Sequence, residues 1–168
     1  MQISMYQASA PRFANALRNL SAILDKARAH AEARKIDPLV LTACRLYPDM
    51  LPLTRQVQIA CDTAKGAVAR LAGVEAPRHE DTENTFDELK ARVEKTLTFI
   101  EGFKPAQLDG SETKQIELKL GPREVKWQGM QYLLGFALPN FYFHVATAYG
   151  ILRHNGVELG KRDYIGSP

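Results

Sequence analysis

Asn140 and His144 stand four residues apart in the run Leu138-Pro-Asn-Phe-Tyr-Phe-His-Val-Ala-Thr-Ala-Tyr-Gly-Ile-Leu-Arg-His-Asn-Gly156. At helical spacing both side chains share one face and can converge on one ion or ligand. Imidazole is a common ligand for zinc, nickel or iron, whereas a neutral amide is a weak one. A catalytic zinc usually takes three protein ligands and keeps a water, so His144 alone falls short. Two readings follow. Either His144 is a ligand, or it forms a buried hydrogen-bonded pair with Asn140 that fixes helix register. An upstream helix adds Gln56, Gln58 and Asp62, the last two again four apart; these either face the interior or lie on solvated surface. His154 is nearly three turns beyond His144 and faces elsewhere, while His30 and His79 read as surface residues. Phe136, Phe141, Tyr142, Phe143 and Tyr149 either line an apolar pocket or belong to the core and a dimer seam. No glycine-rich phosphate loop, G-x-S-x-G elbow or HExxH motif is present.

The elements that must position these groups follow from hydrophobic periodicity. Phe13, Leu17, Leu20, Leu24 and Ala27 make one apolar face of a first helix, with Pro11 marking its first turn or kinking a helix that begins near Met5. A short connecting helix is expected over Val40 to Leu46. The second long helix should start near Asp49 as N-cap, with Pro52 in its first turn. Its face reads Leu53, Val57, Ala60, Ala64, Val68 and Leu71, and Gly73 ends it. Thr85-Phe-Asp-Glu88 is a capping box opening a third helix, with Phe86, Leu89, Val93, Leu97 and Ile100 buried and Pro105 closing it. The period then changes to two. Ile116, Leu118 and Leu120 alternate with charges, Gly121-Pro-Arg-Glu124 turns the chain, and Val125 and Trp127 return as a hairpin. In the fourth helix Leu134, Leu138, Phe141, Val145, Ala148 and Leu152 form a core seam. Leu133, Asn140, His144, Thr147 and Ile151 form the neighbouring stripe, and Asn155-Gly156 caps the end.

A chain of 168 residues suits one domain, 1–168, with a sizeable core. The net charge of +3 is spread along the chain without a basic stripe, which argues against a nucleic-acid partner. No segment reaches the ~18 apolar residues of a membrane span, and the N-terminus lacks a signal-peptide pattern. Cys44 and Cys61 show no CxxC or Cys/His spacing and read as free thiols in a reducing cytoplasm, a disulfide being the other state. The expected location is cytoplasmic.

Four phrases carry a family resemblance: Tyr47-Pro-Asp-Met-Leu-Pro-Leu53, Arg55-Gln-Val-Gln-Ile-Ala-Cys-Asp62, Leu138-Pro-Asn-Phe-Tyr-Phe-His144 and Leu152-Arg-His-Asn-Gly-Val157. The chain resembles the DinB/YfiT-like superfamily of metal-dependent enzymes, and within it a bacterial branch defined as a domain of unknown function. The resemblance runs nearly end to end. It implies an all-α fold, an up-down-down-up four-helix bundle with a small β-hairpin between helices three and four, and a homodimer. Metal-binding members use one histidine of the second helix and an HxxxH pair on the fourth, followed by a Leu-Arg-x-x-Gly ending. Counting back from Leu152-Arg-His-Asn-Gly156 places that pair on Asn140 and His144, and the remaining ligand near Gln56 or Gln58. Two of three ligands are thereby replaced by amides. The expected function is a metal-free small-ligand-binding or assembly module with a degenerate metal site, its pocket lined by Asn140, His144, Gln58, Gln56 and Asp62. The alternative is a divergent thiol transferase or hydrolase in which His144 holds a divalent metal such as zinc or nickel and a bound water attacks. Between these readings, enzyme or not stays open.

Overall fold

The apolar steps become helices in a computed structural model, which describes residues 3–166. The chain is helical from near its start, with α1 (Met5–Ala8) followed by α2 (Ala10–Arg34). Ser9, at φ −118 and ψ −87, breaks the ladder between them. Pro11 sits in the first turn of α2, where its missing N–H leaves no helical bond unmade. The connecting helix is α3 (Pro38–Ala43), earlier than the expected Val40 to Leu46, because Asp37 caps it by accepting the Leu39 N–H at 2.9 Å.

The second long helix, α4 (Leu53–Ala72), also departs from expectation at its start. Asp49 lies in a turn, and the N-cap position is Pro52. The proline ring disfavours helical geometry at Leu51, so no helix can run through from Asp49. Gly73 ends α4 in the left-handed region at φ 77. Thr85 and Glu88 form the reciprocal capping box that opens α5 (Phe86–Glu101). Pro105 does not close α5; it opens a single turn, α6 (Pro105–Leu108).

Strands β1 (Gln115–Leu120) and β2 (Arg123–Gln128) pair antiparallel, with Ile116 opposite Trp127 and Leu118 opposite Val125. The turn is the two residues Gly121 and Pro122, shorter than expected, because Arg123 and Glu124 already pair with Leu120 and Lys119. Gly121 takes φ 58 there, a backbone that L side chains rarely adopt. The hairpin packs through Ile116, which is buried, and Trp127, which stacks on Phe136 with ring centroids 5.3 Å apart. It leads into α7 (Gly129–Tyr132), whose first residue lies so close to the Ser111 carbonyl that a Cβ there would sit 2.0 Å from the oxygen.

A π-helical turn over Leu133–Ala137 then joins α7 to α8 (Leu138–His154). Leu138 donates to the Leu133 carbonyl there. The wider turn precedes Pro139, which supplies no N–H of its own. It also shifts the face of the helix. Leu134, expected in the core seam, is 54% exposed, while Leu133 and Ala137 are buried in its place. A last short helix, α9 (Lys161–Ile165), returns onto α2.

Helix α4 packs along both α8 and α5, and α2 packs along α5. One buried cluster joins Phe13 and Leu17 of α2, Val57 and Ala64 of α4, Val93 of α5 and Phe141 of α8. Phe13 and Phe141 meet edge to face at 4.9 Å. Each of the larger side chains in the cluster contributes about 1.5–3 kcal/mol by leaving water. Among the described residues no helix is long and apolar enough to cross a membrane, and Cys44 and Cys61 are free thiols.

Candidate functional site

The seam between α4 and α8 brings His144 against Gln56. His144 is 8% exposed and Gln56 2%, and the His144 Nδ1 lies 2.7 Å from the Gln56 Oε1. Gln56 stands in the first turn of α4, where its Nε2 donates to the Leu51 carbonyl at 3.0 Å. The extended residues before α4 therefore hold the amide in place. Burial pushes the His144 imidazole below its ordinary pKa of 6.5, with no charged neighbour opposing the shift.

Asn140 lies one turn back along α8 and does not join this pair. Its Nδ2 donates to the Thr63 hydroxyl at 2.9 Å, two turns beyond Gln56 on α4. Nor does Thr147 join, since its hydroxyl donates to the Phe143 carbonyl of its own helix at 2.7 Å.

The remaining two residues of the expected pocket bond to the loop between α4 and α5 and to α5 instead. Gln58 accepts from Arg55 at 2.6 Å and donates to Glu83 at 2.8 Å. Asp62 accepts from Arg92 at 2.9 Å and has the Lys65 ammonium 3.0 Å from its other oxygen. Both belong to an ionic cluster around Arg92, which is 1% exposed in the middle of α5. Arg92 also donates to the Glu80 carbonyl at 3.0 Å, to both Glu83 oxygens at 3.1 Å, and pairs with Asp81 at 3.0 Å. A single guanidinium thus ties the loop between α4 and α5 to both helices. Burial raises the Asp81 carboxyl, but Arg55 and Arg92 more than offset it and hold it below its ordinary value. Burial likewise opposes the charge on Arg92, and Asp62 and Glu83 reverse that, raising its pKa.

Sequence reasoning missed this cluster, although one signal was present. Arg92 falls three residues after Leu89 and beside Val93, on the apolar face of the third helix. His79, read as a surface residue, is half-buried beside the same cluster with an unpartnered, buried Nδ1. Burial, then the charges of Lys65 and Arg92, lower its pKa. Cys61, beneath Arg92, has its thiol pushed up to about 12, mainly by burial, and is an unreactive core residue. Gln58, Asp81 and Glu83 line a groove of about 420 Å³ with Leu39 and Thr42; Gln56 and His144 are not in that lining.

The aromatic residues of the fourth helix do not converge on a pocket either. Phe141 is core, Phe136 stacks on the hairpin, and Tyr149 meets Tyr164 at 6.0 Å. Phe143 is 57% exposed and meets the His144 ring edge-on at 5.2 Å.

Metal ligands are implied at Asn140, at His144 and at Gln56 or Gln58, and of the two glutamines Gln56 is the one that meets His144. Gln56 and His144 spend their facing atoms on each other, and the Asn140 amide is turned to Thr63. Neutral amides are poor ligands for zinc or nickel. Among the described residues no three His, Cys, Asp or Glu side chains gather as a group able to hold a metal. The donor set does not fit a catalytic transition metal.

Residues 5–165 match the family described as domain of unknown function DUF1993. A crystal structure of a DinB family member protein from Shewanella denitrificans is 46% identical, with a TM-score of 0.88 over 97% of this chain and 92% of that one. No curated protein matches the chain.

Proposed function

The chain belongs to the DUF1993 family, and from that premise we propose that it is a DinB-like protein whose former metal position now works without metal. In this reading the whole chain is one domain, an up-down-down-up bundle in which α2 and α4 lie diagonally. Packing of α4 between α5 and α8 supports that arrangement. The protein is cytoplasmic, in keeping with its free thiols.

The observation that carries the reading is the Gln56–His144 hydrogen bond of 2.7 Å. Where the resemblance implies two imidazoles sharing an ion, an amide and an imidazole bind each other directly. The centre is then a small-ligand-binding or assembly site, with Gln56, Asn140 and His144 as its polar face. Gln58 and Asp62 are structural members of the Arg92 cluster. The assembly half of the proposal, a homodimer, rests on exposed apolar groups beside this face: Phe143 is 57% exposed, Tyr47 66% and Leu51 44%.

The test is a thermal-shift screen of small polar compounds on the wild type, His144→Ala and His30→Ala, with sedimentation to report assembly. Ligand responses lost in His144→Ala and kept in His30→Ala support the site. Equal responses in both variants refute it.

A further inference from the structure

The hydrogen bonds around Gln56 settle more than its position. The Leu51 carbonyl can only accept, so the Gln56 atom 3.0 Å from it must be the amide nitrogen. Reversing the amide would set two carbonyl oxygens face to face. That fixes Oε1 toward α8, where it too can only accept, and the His144 Nδ1 at 2.7 Å must therefore carry a hydrogen. The other ring nitrogen, Nε2, has no hydrogen-bond partner among the described residues. Nor is it among the described side-chain atoms that are both fully buried and without a hydrogen-bond partner, so solvent or a ligand can reach it.

We propose that Gln56 is a positioning residue that locks His144 as its Nδ1–H tautomer, presenting the Nε2 lone pair as the acceptor for a neutral hydroxyl-bearing ligand. This rests on the reading of His144 as a ligand-binding centre. Three observations select the ligand class. With the Gln56 amide spent on Leu51 and on the ring, the free group of the pair is an acceptor, which asks for a donor on the ligand. Among the described residues the hydrogen-bond partners of Gln56, Asn140 and His144 are all uncharged, so the site offers no formal charge to pair with an ammonium or a carboxylate. The exposed Phe143 ring beside His144 gives an apolar flank to the hydroxyl's carbon skeleton.

The experiment is nitrogen NMR of the full chain labelled in histidine, near neutral pH, for wild type, Gln56→Leu and Gln56→Glu, with His144→Ala assigning the signal. The wild type should show a protonated Nδ1 and an unprotonated Nε2. Gln56→Leu removes the acceptor, and the ring should move toward the Nε2–H form that an unconstrained histidine side chain prefers. Gln56→Glu keeps the acceptor oxygen and should retain the Nδ1–H, which guards against a Leu variant that fails to fold. A wild-type ring protonated on Nε2, or a tautomer unchanged in a folded Gln56→Leu, overturns the lock. Phenol and anisole then test the ligand class, since they share a ring and only phenol donates. Phenol should shift the Nε2 signal at concentrations where anisole does not. Equal shifts overturn the acceptor role. A locked tautomer with no response to either compound leaves Gln56 as a positioning residue and refutes the ligand-binding reading beneath it.

Discussion

Replacing Arg92 by methionine isolates what the buried guanidinium does, because methionine keeps much of the apolar stem and removes the charge. Four groups lose a partner. Glu83 is the decisive one, with a side chain 13% exposed and both oxygens within 3.1 Å of the guanidinium. A shielded charge-assisted bond of this kind contributes about 1.5–3 kcal/mol. Asp62 and Asp81 are 43% and 42% exposed, so water screens them and each adds only about 0–1 kcal/mol. The sum is a loss of about 3 kcal/mol, a large part of the 5–15 kcal/mol typical of a domain. Much of that loss is the cost of a shielded carboxylate left without its counter-ion, with only the Gln58 amide still donating to it. Glu83→Gln in the Arg92→Met background should therefore recover about 1–2 kcal/mol, although Glu83→Gln alone is destabilising. Urea unfolding of the four proteins, with unchanged slope, measures this cycle. A loss below about 1 kcal/mol on Arg92→Met, or additive losses in the double variant, would refute the reasoning.

Two further outcomes follow from local geometry. His144 has a folded pKa below its ordinary 6.5, so the unfolded chain takes up the proton first. Its contribution is complete above that value and is lost as pH falls from 6.5 toward the folded pKa. His144→Gln should accordingly flatten the fall in unfolding free energy between pH 7 and 5, by at most about 1.4 kcal/mol per pH unit; parallel curves for variant and wild type would contradict this. Gly129→Ala places a methyl group 2.0 Å from the Ser111 carbonyl oxygen, and backbone cannot swing aside. It should lower stability by about 2 kcal/mol or more in thermal unfolding, and a neutral result would mean the hairpin-to-α7 junction is looser than described.

Local signals in the sequence were read well because they depend on near neighbours. The Thr85–Glu88 capping box, the stop at Gly73 and the existence of a hairpin reversing at Gly121 are each decided within a few residues, though the turn is two residues shorter than expected. Phase was harder. Gln56 and Gln58 stand about 200° apart on a helix, so only one could face α8, and periodicity did not say which. The π-helical turn before Pro139 moved Leu134 out of the core, a shift of register that a repeat of three and four cannot express. The Arg92 cluster lay further out of reach. An arginine on an apolar face is stable only if carboxylates arrive from elsewhere. Those of Asp81 and Glu83 come from a loop whose path is set by tertiary packing. The Gln56–His144 pair spans 88 residues, and its partner Leu51 is a backbone carbonyl with no signature in sequence.

The most direct test of a metal position converted to a hydrogen-bonded pair is elemental analysis of the untagged protein after incubation with zinc, nickel and manganese and removal of free ion. It should be run beside His144→Ala and the double variant Gln56→His/Asn140→His. The wild type should retain no stoichiometric metal, and the double variant, with three imidazoles facing one seam, should acquire zinc or nickel. Near-stoichiometric metal in the wild type that disappears in His144→Ala would contradict the account and restore the metalloenzyme reading.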